Sequence, residues 1–133
     1  MRLILLASDF YLLGLGVTVA LVTYPAFYLV GEAQWSTYHA AHGRRMTWAV
    51  APAWLLQGVN SLWWLLRGVD RGFALGHGAF ALLGVLLTVF GAIPCHQRLA
   101  ERATHATIHQ LELWHWTRTL AWLGCCCVGA TLL

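Results

Sequence analysis

Charge is what this chain has least of. Only 10% of its 133 residues are Asp, Glu, Lys or Arg, against roughly 25% in a soluble domain. Lysine is absent, so all eight basic residues are arginines. They are scattered, and a net charge of +3 without a basic run gives no footprint for nucleic acid. Proline occurs three times, and no Pro-, Gly- or Ser-rich linker divides the chain. No internal repeat or low-complexity segment is visible. The four cysteines give no disulfide framework. Cys125, Cys126 and Cys127 are consecutive in an apolar stretch, where neighbours on a helix point in different directions. They read as small packing residues. Cys95 stands apart, beside His96.

What is present is apolar. The chain is 59% hydrophobic, with a mean hydropathy of +0.64. Four apolar stretches run over about 3–30, 47–66, 72–93 and 113–133, each near the roughly 20 residues that cross a bilayer. Backbone groups in lipid must be paired within their own segment, so spans of this kind are helices. The expected fold is all-α: an integral-membrane four-helix bundle filling 1–133, with helices over about 3–30, 35–67, 72–93 and 104–133 and both termini on one side. The first span opens with Arg2, but it is long and has no clean small-residue cleavage pattern, so it reads as a retained helix. Counting arginines puts the end holding Arg44, Arg45, Arg98, Arg102 and Arg118 in the cytoplasm. Setting aside Arg44, Arg45 and Arg118 reverses the bias, so orientation stays open.

Proline sets the expected ends. Pro25 ends or kinks the first helix near Tyr24, and Pro94 ends the third. The second starts at Trp35 with Ser36 or Thr37 as its cap and is long enough to project beyond the hydrocarbon or to tilt. Residues 95–104 form a connection or a short interfacial helix. Trp35, Trp48, Trp114 and Trp116 mark one interface, Trp63 and Trp64 the other. Gly76, Gly84 and Gly91 allow close packing.

Six of the seven histidines then fall at one membrane face: His39, His42, His96, His105, His109 and His115. On the second helix, His39, His42, Met46, Ala49, Ala53, Leu56, Asn60 and Trp64 follow the three-and-four spacing of one face, with Gln57 at its edge. A stripe that polar faces inward, because such groups are disfavoured against lipid. Histidines three apart can share one ion in a bundle. Topology brings Tyr24, His96 and His115 to the same level, and Glu112 and Arg118 stand one helical step either side of His115, placed to orient its ring. His39, His42, His96 and His115 are therefore the candidate metal ligands, with Met46, Cys95 or Tyr24 as further donors. Copper, iron or zinc suits such a set, and two axial histidines would also suit haem. His105 and His109 read as a wet helix surface.

A second layer lies near the opposite face. Asp9, Asn60 and His77 share one depth at about 1.5 Å per residue, and His77 is the expected partner of an intramembrane Asp9.

Ile93-Pro94-Cys95-His96-Gln97-Arg98-Leu99-Ala100 and Leu113-Trp114-His115-Trp116-Thr117-Arg118-Thr119-Leu120-Ala121, with Pro25 closing the first helix, resemble the small four-helix membrane family that includes fungal anthrone oxygenases. That family's pattern is similar to Pro-x-Asn-x-x-Leu after the third helix and Trp-Asn-x-x-Arg-Thr in the fourth. Where it has asparagines, this chain has His96, His115 and one of the pair His39 and His42. The resemblance implies a four-helix fold with an oxygenase-like pocket. The departures imply that a polar pocket has become a metal- or proton-handling one.

Two functions fit these residues. One is an integral-membrane oxidoreductase or oxygenase-like protein acting on an apolar aromatic or quinone-like molecule from the bilayer. His115, Arg118, Tyr24 and Arg45 are its candidate catalytic groups. Imidazoles act as acid and base near neutrality, Arg118 and Arg45 hold an oxyanion, and Tyr24 donates a hydrogen bond. The alternative is a non-enzymatic accessory or assembly subunit of a membrane complex, handling metal. A small transporter fits least, for want of repeats and broken helices. Expected partners are the lipid bilayer, a small apolar ligand and a homo-oligomer or larger complex, in a bacterial inner membrane.

Overall fold

In the computed structural model, which describes residues 2–68 and 70–131, the described residues are helical except for short connections. α1 spans Arg2–Phe27, α2 Glu32–Arg67, α3 Arg71–Glu101 and α4 His105–Ala130. α4 packs against both α1 and α3, and α2 meets the same two helices from the other side. The result is an up-and-down bundle in which α1 faces α3, and α2 faces α4, across the diagonals.

Three helices pass a proline without ending: α2 carries Pro52 in its unbroken middle, and the other two widen a turn first. In α1 a single π turn, Val19–Thr23, precedes Tyr24-Pro25, and the helix then continues to Phe27. α3 repeats the device, with a π turn at Thr88–Ala92 before Ile93-Pro94. Proline cannot donate to the carbonyl four residues back, and its ring collides with it. Widening the preceding turn by one residue accommodates both problems. The amide of Tyr24 reaches back to Val19 and that of Ile93 to Thr88. α3 therefore does not stop at Pro94 as the sequence suggested, and His96 lies on a continuous helix.

The other ends are set by local chemistry. Asp70, in the left-handed region (φ 51°), accepts from the Phe73 amide at 3.1 Å and caps α3. Thr104 accepts from the Thr107 amide at 3.2 Å and caps α4. α2 begins at Glu32 after Gly31, ahead of the expected start at Trp35. Ser36 and Thr37 lie inside it instead of capping it, and Glu32 in the first turn suits the helix dipole. α2 is 36 residues long, about 54 Å at ~1.5 Å per residue.

Large apolar side chains lie outside the bundle as well as inside it, and several polar ones are buried. Leu3, Leu21, Leu29, Trp48, Leu66 and Phe90 are all more than 60% exposed. Ser8, Asp9, His39, Gln57, Asn60, His77, Thr88, His115 and Thr119 are buried. The apolar core has three centres. One surrounds Tyr24, Phe27, Trp35, Cys95 and Leu99, another joins Leu12, Ala53 and Trp122, and the third joins Leu5, Trp64 and Phe73. α1 and α3 are each long and apolar enough to cross a membrane.

Close approach of α4 to α1 depends on Gly16. A Cβ there would stand 2.8 Å from Thr119 Oγ1 and 3.1 Å from the Trp122 ring, so only glycine fits. Gly91, inside the second π turn, lies directly against the Trp114 ring in the same way.

Candidate functional site

At one end of the bundle, each π turn delivers a site residue. Tyr24 is the first residue beyond the turn in α1, and His96 lies on the first helical turn beyond that in α3. π turns within α-helices frequently occur at functional sites. The Tyr24 hydroxyl lies 3.4 Å from His96 Nε2, and the His96 Nδ1 lies 3.1 Å from His39 Nε2. His39 is itself held by stacking on Trp35, with ring centroids 5.3 Å apart and planes at 20°. Trp35 is fixed in turn by its Nε1–H, which donates to the Leu99 carbonyl at 2.6 Å. Trp35 is thus a buried brace between α2 and α3, not part of an interfacial belt.

The chain Tyr24–His96–His39 has two hydrogen-bond polarities. Either Tyr24 donates to His96 and His96 to His39, or both bonds run the other way. Switching between them moves one proton from end to end. His42 closes the group, its ring 6.0 Å from that of His96 and 5.0 Å from that of Phe27. Among the described residues it has no hydrogen-bond partner.

His115 is committed elsewhere. Its Nε2 lies 2.7 Å from the Gly16 carbonyl, which can only accept, so Nε2 carries the hydrogen. Nδ1 then accepts from Arg118 Nη2 at 2.6 Å. With both nitrogens in use, His115 offers no lone pair to a metal. It joins the group as a wall beside Tyr24, ring to ring at 4.9 Å and 77°, and as the residue that positions Arg118. Glu112, expected to share that task, instead accepts from the Tyr28 hydroxyl at 3.1 Å and lies 3.6 Å from His109.

Arg118 is the cation of the site. Nη1 donates to Thr88 Oγ1 at 3.2 Å, the guanidinium lies 5.0 Å over the Trp122 ring, and the Tyr24 hydroxyl is beside it. Its Nε is buried without a partner. No carboxylate pairs with it among the described residues. Arg45 does not join it: that side chain lies on the exposed side of α2. His105 and His109 are exposed as expected, with His105 edge-on to Tyr28 at 5.2 Å. Met46 is half-buried against the same core, and Cys95 is fully buried in it.

Among the described residues, the group of three whose ligand atoms all lie within 4.8 Å of one another is not histidine-based. It is Asp9, His77 and Cys125, near the other end of the bundle. His77 pairs with Asp9 as the shared depth suggested, but Cys125 read as packing alone. His39 Nε2 and His96 Nδ1 are spaced as two neighbouring ligands would be, since atoms about 2.1 Å from one ion stand ~3.0–3.4 Å apart. His42 would have to turn to complete a set of three.

No family model matches the chain, and neither curated proteins nor solved structures show a detectable match to it.

Proposed function

We propose that this chain is an integral-membrane four-helix protein of oxidoreductase type, acting on an apolar hydroxyaromatic or quinone-like molecule. Exposed leucines on every helix, with His39, His77 and His115 buried inside, support placing all four helices in a bilayer. The observation that carries the ligand class is Arg118. A cation held among rings, with no carboxylate among the described residues to balance it, attracts a ligand oxygen that bears or develops negative charge. Tyr24 and His96 stand at the same point to exchange that oxygen's proton.

Oxidising a hydroquinone to a quinone releases two protons and two electrons. Tyr24 and His96 Nε2 would take the protons. A copper or iron ion held by His39 Nε2 and His96 Nδ1 in place of the hydrogen bond between them, with His42 turning in, would pass the two electrons one at a time to an external oxidant of the dioxygen class; zinc, which has no redox chemistry, would not. His115 acts through Arg118, fixing where the oxygen sits.

The reading is tested on protein purified in mild detergent, by metal analysis, optical spectrum and oxidation of a short-chain quinol. Copper or iron should be bound, its content should fall in His39→Ala and His96→Ala and persist in His115→Phe, and quinol oxidation should fall in Tyr24→Phe. Metal-free protein that binds no quinol overturns it.

A second reading, as an accessory subunit of a larger membrane complex, draws on α2. That helix touches its neighbours along one side and exposes Trp48, Leu55, Val59, Leu62 and Leu66 on the other. Stability only in the presence of a co-purifying partner would favour it.

A further inference from the structure

The second polar layer takes no part in that reading, yet it is the more tightly built. Asp9, His77 and Cys125 are completely buried and come from three different helices, α1, α3 and α4. Asp9 Oδ1 accepts from Gln57 Nε2 at 2.7 Å, and Asp9 Oδ2 lies 2.9 Å from His77 Nε2. On its other side, His77 Nδ1 lies 3.0 Å from Ser61 Oγ. The Ser61 hydroxyl also reaches the Gln57 backbone carbonyl at 2.8 Å; with its hydrogen there it accepts from His77 Nδ1–H, and turned to His77 it donates to the Nδ1 lone pair.

His77 Nε2 faces Asp9 Oδ2 at 2.9 Å. A lone pair facing a bare carboxylate at that distance would be two acceptors in collision, so either a hydrogen or a metal ion stands between these atoms. The thiol of Cys125 completes a triangle with these two atoms, all within 4.8 Å of one another. Its own contact, to the His77 carbonyl at 3.9 Å, is weak and readily given up.

We infer that Asp9, His77 and Cys125 form a buried site for a divalent transition metal of the zinc class. The donor set of one nitrogen, one oxygen and one sulfur excludes magnesium and calcium, which take oxygen ligands. Ligands at ~2.0–2.3 Å from a tetrahedral ion stand roughly 3.3–3.7 Å apart, so the His77–Asp9 pair, at 2.9 Å, must open slightly to admit the ion while the Cys125 thiol settles within reach. Charge selects the valence. A divalent ion with one carboxylate, one thiolate and one neutral imidazole sums to zero, whereas a monovalent ion would leave a net negative charge buried in an apolar bundle. Loading is an exchange: the ion takes the place of the hydrogen between His77 and Asp9, which leaves or moves to His77 Nδ1, and the Cys125 thiol gives up its proton. Ser61 on His77 Nδ1 and Gln57 on Asp9 Oδ1 are the outer partners that orient metal ligands. Asn60, on the same helix as both, keeps a buried Oδ1 without a partner and is the nearest candidate in sequence for a fourth donor.

Cobalt(II) titration of the full chain, stripped with chelator in mild detergent, tests this site. A thiolate-to-cobalt charge-transfer band should grow to one ion per chain. It should vanish in Cys125→Ser, weaken at least about tenfold in affinity in Asp9→Asn, and persist in Cys126→Ser, Cys127→Ser and His96→Ala. Persistence in His96→Ala separates this site from the histidine cluster. No thiolate band in natively helical wild-type protein, or a band that survives Cys125→Ser, overturns the inference. Should Cys125→Ser not fold, X-ray absorption on the zinc-loaded wild type decides instead. A shell with one sulfur at ~2.3 Å and one imidazole nitrogen at ~2.0 Å supports the site, and a shell of light atoms alone overturns it.

Discussion

His115 on α4 donates to the backbone carbonyl of Gly16 on α1 across 2.7 Å, and that bond determines what His115 can do. A ring that gives its only hydrogen to a carbonyl and its only lone pair to Arg118 is a fixed strut. The cation it holds, not the imidazole itself, faces the interior.

Replacing His115 by Phe should therefore separate two roles. The aromatic wall beside Tyr24 is kept, while Arg118 Nη2 loses its acceptor. Affinity for a quinone-like probe should fall by about tenfold, as loss of one charge-assisted hydrogen bond of ~1.5 kcal/mol implies. Metal retained by His39 and His96 should be unchanged, which metal analysis on the same sample reads directly.

Gly16→Ala places a methyl against Thr119 Oγ1 and the Trp122 ring. α1 and α4 must separate to admit it, at a penalty of about 1–3 kcal/mol, and the His115 bond lengthens with them. A lowered unfolding temperature in detergent, together with weaker probe binding, is the expected pair of results. Gly14→Ala, where a Cβ meets nothing within 4 Å, should change neither.

The π turns make a sharper prediction. Pro25→Ala restores the missing donor and removes the ring clash, so the turn before it can tighten to α-helix. Losing the extra residue rotates all that follows by ~100°, taking Tyr24 away from His96. Tyr24-dependent probe binding should be lost while helix content stays constant by circular dichroism. Pro52→Ala, in the unbroken middle of α2, is the matched control and should keep binding.

Much of this arrangement is written in residue types and spacing. Apolar length marks α1 and α3 as long enough to span. Depth arithmetic pairs Asp9 with His77, and the one-step spacing pairs Arg118 with His115. The inward stripe of α2 is legible too, with His39, Ala53, Asn60 and Trp64 buried, but it turns toward Gln57, which is buried while Leu56 is exposed. The amide, not the leucine, gains from the interior. Backbone acceptors carry no signature in sequence, so the commitment of His115 to Gly16 was not legible. Nor was a π turn, which differs from an α turn by one residue and announces itself only through the proline behind it. Cys125 read as packing because its neighbours Cys126 and Cys127 look identical to it; only the facing of α4 toward Asp9 distinguishes it.

The central claim is that the uncompensated Arg118, with Tyr24 and His96, binds an acidic or quinone oxygen inside a membrane bundle. Titrating a membrane-soluble hydroxynaphthoquinone into the detergent-purified chain, read by tryptophan quenching, tests it most directly. The account predicts saturable binding in the wild type and affinity lower by at least about tenfold in Arg118→Gln, with helix content unchanged. Equal affinity in the two proteins, or no saturable binding in either, would contradict it.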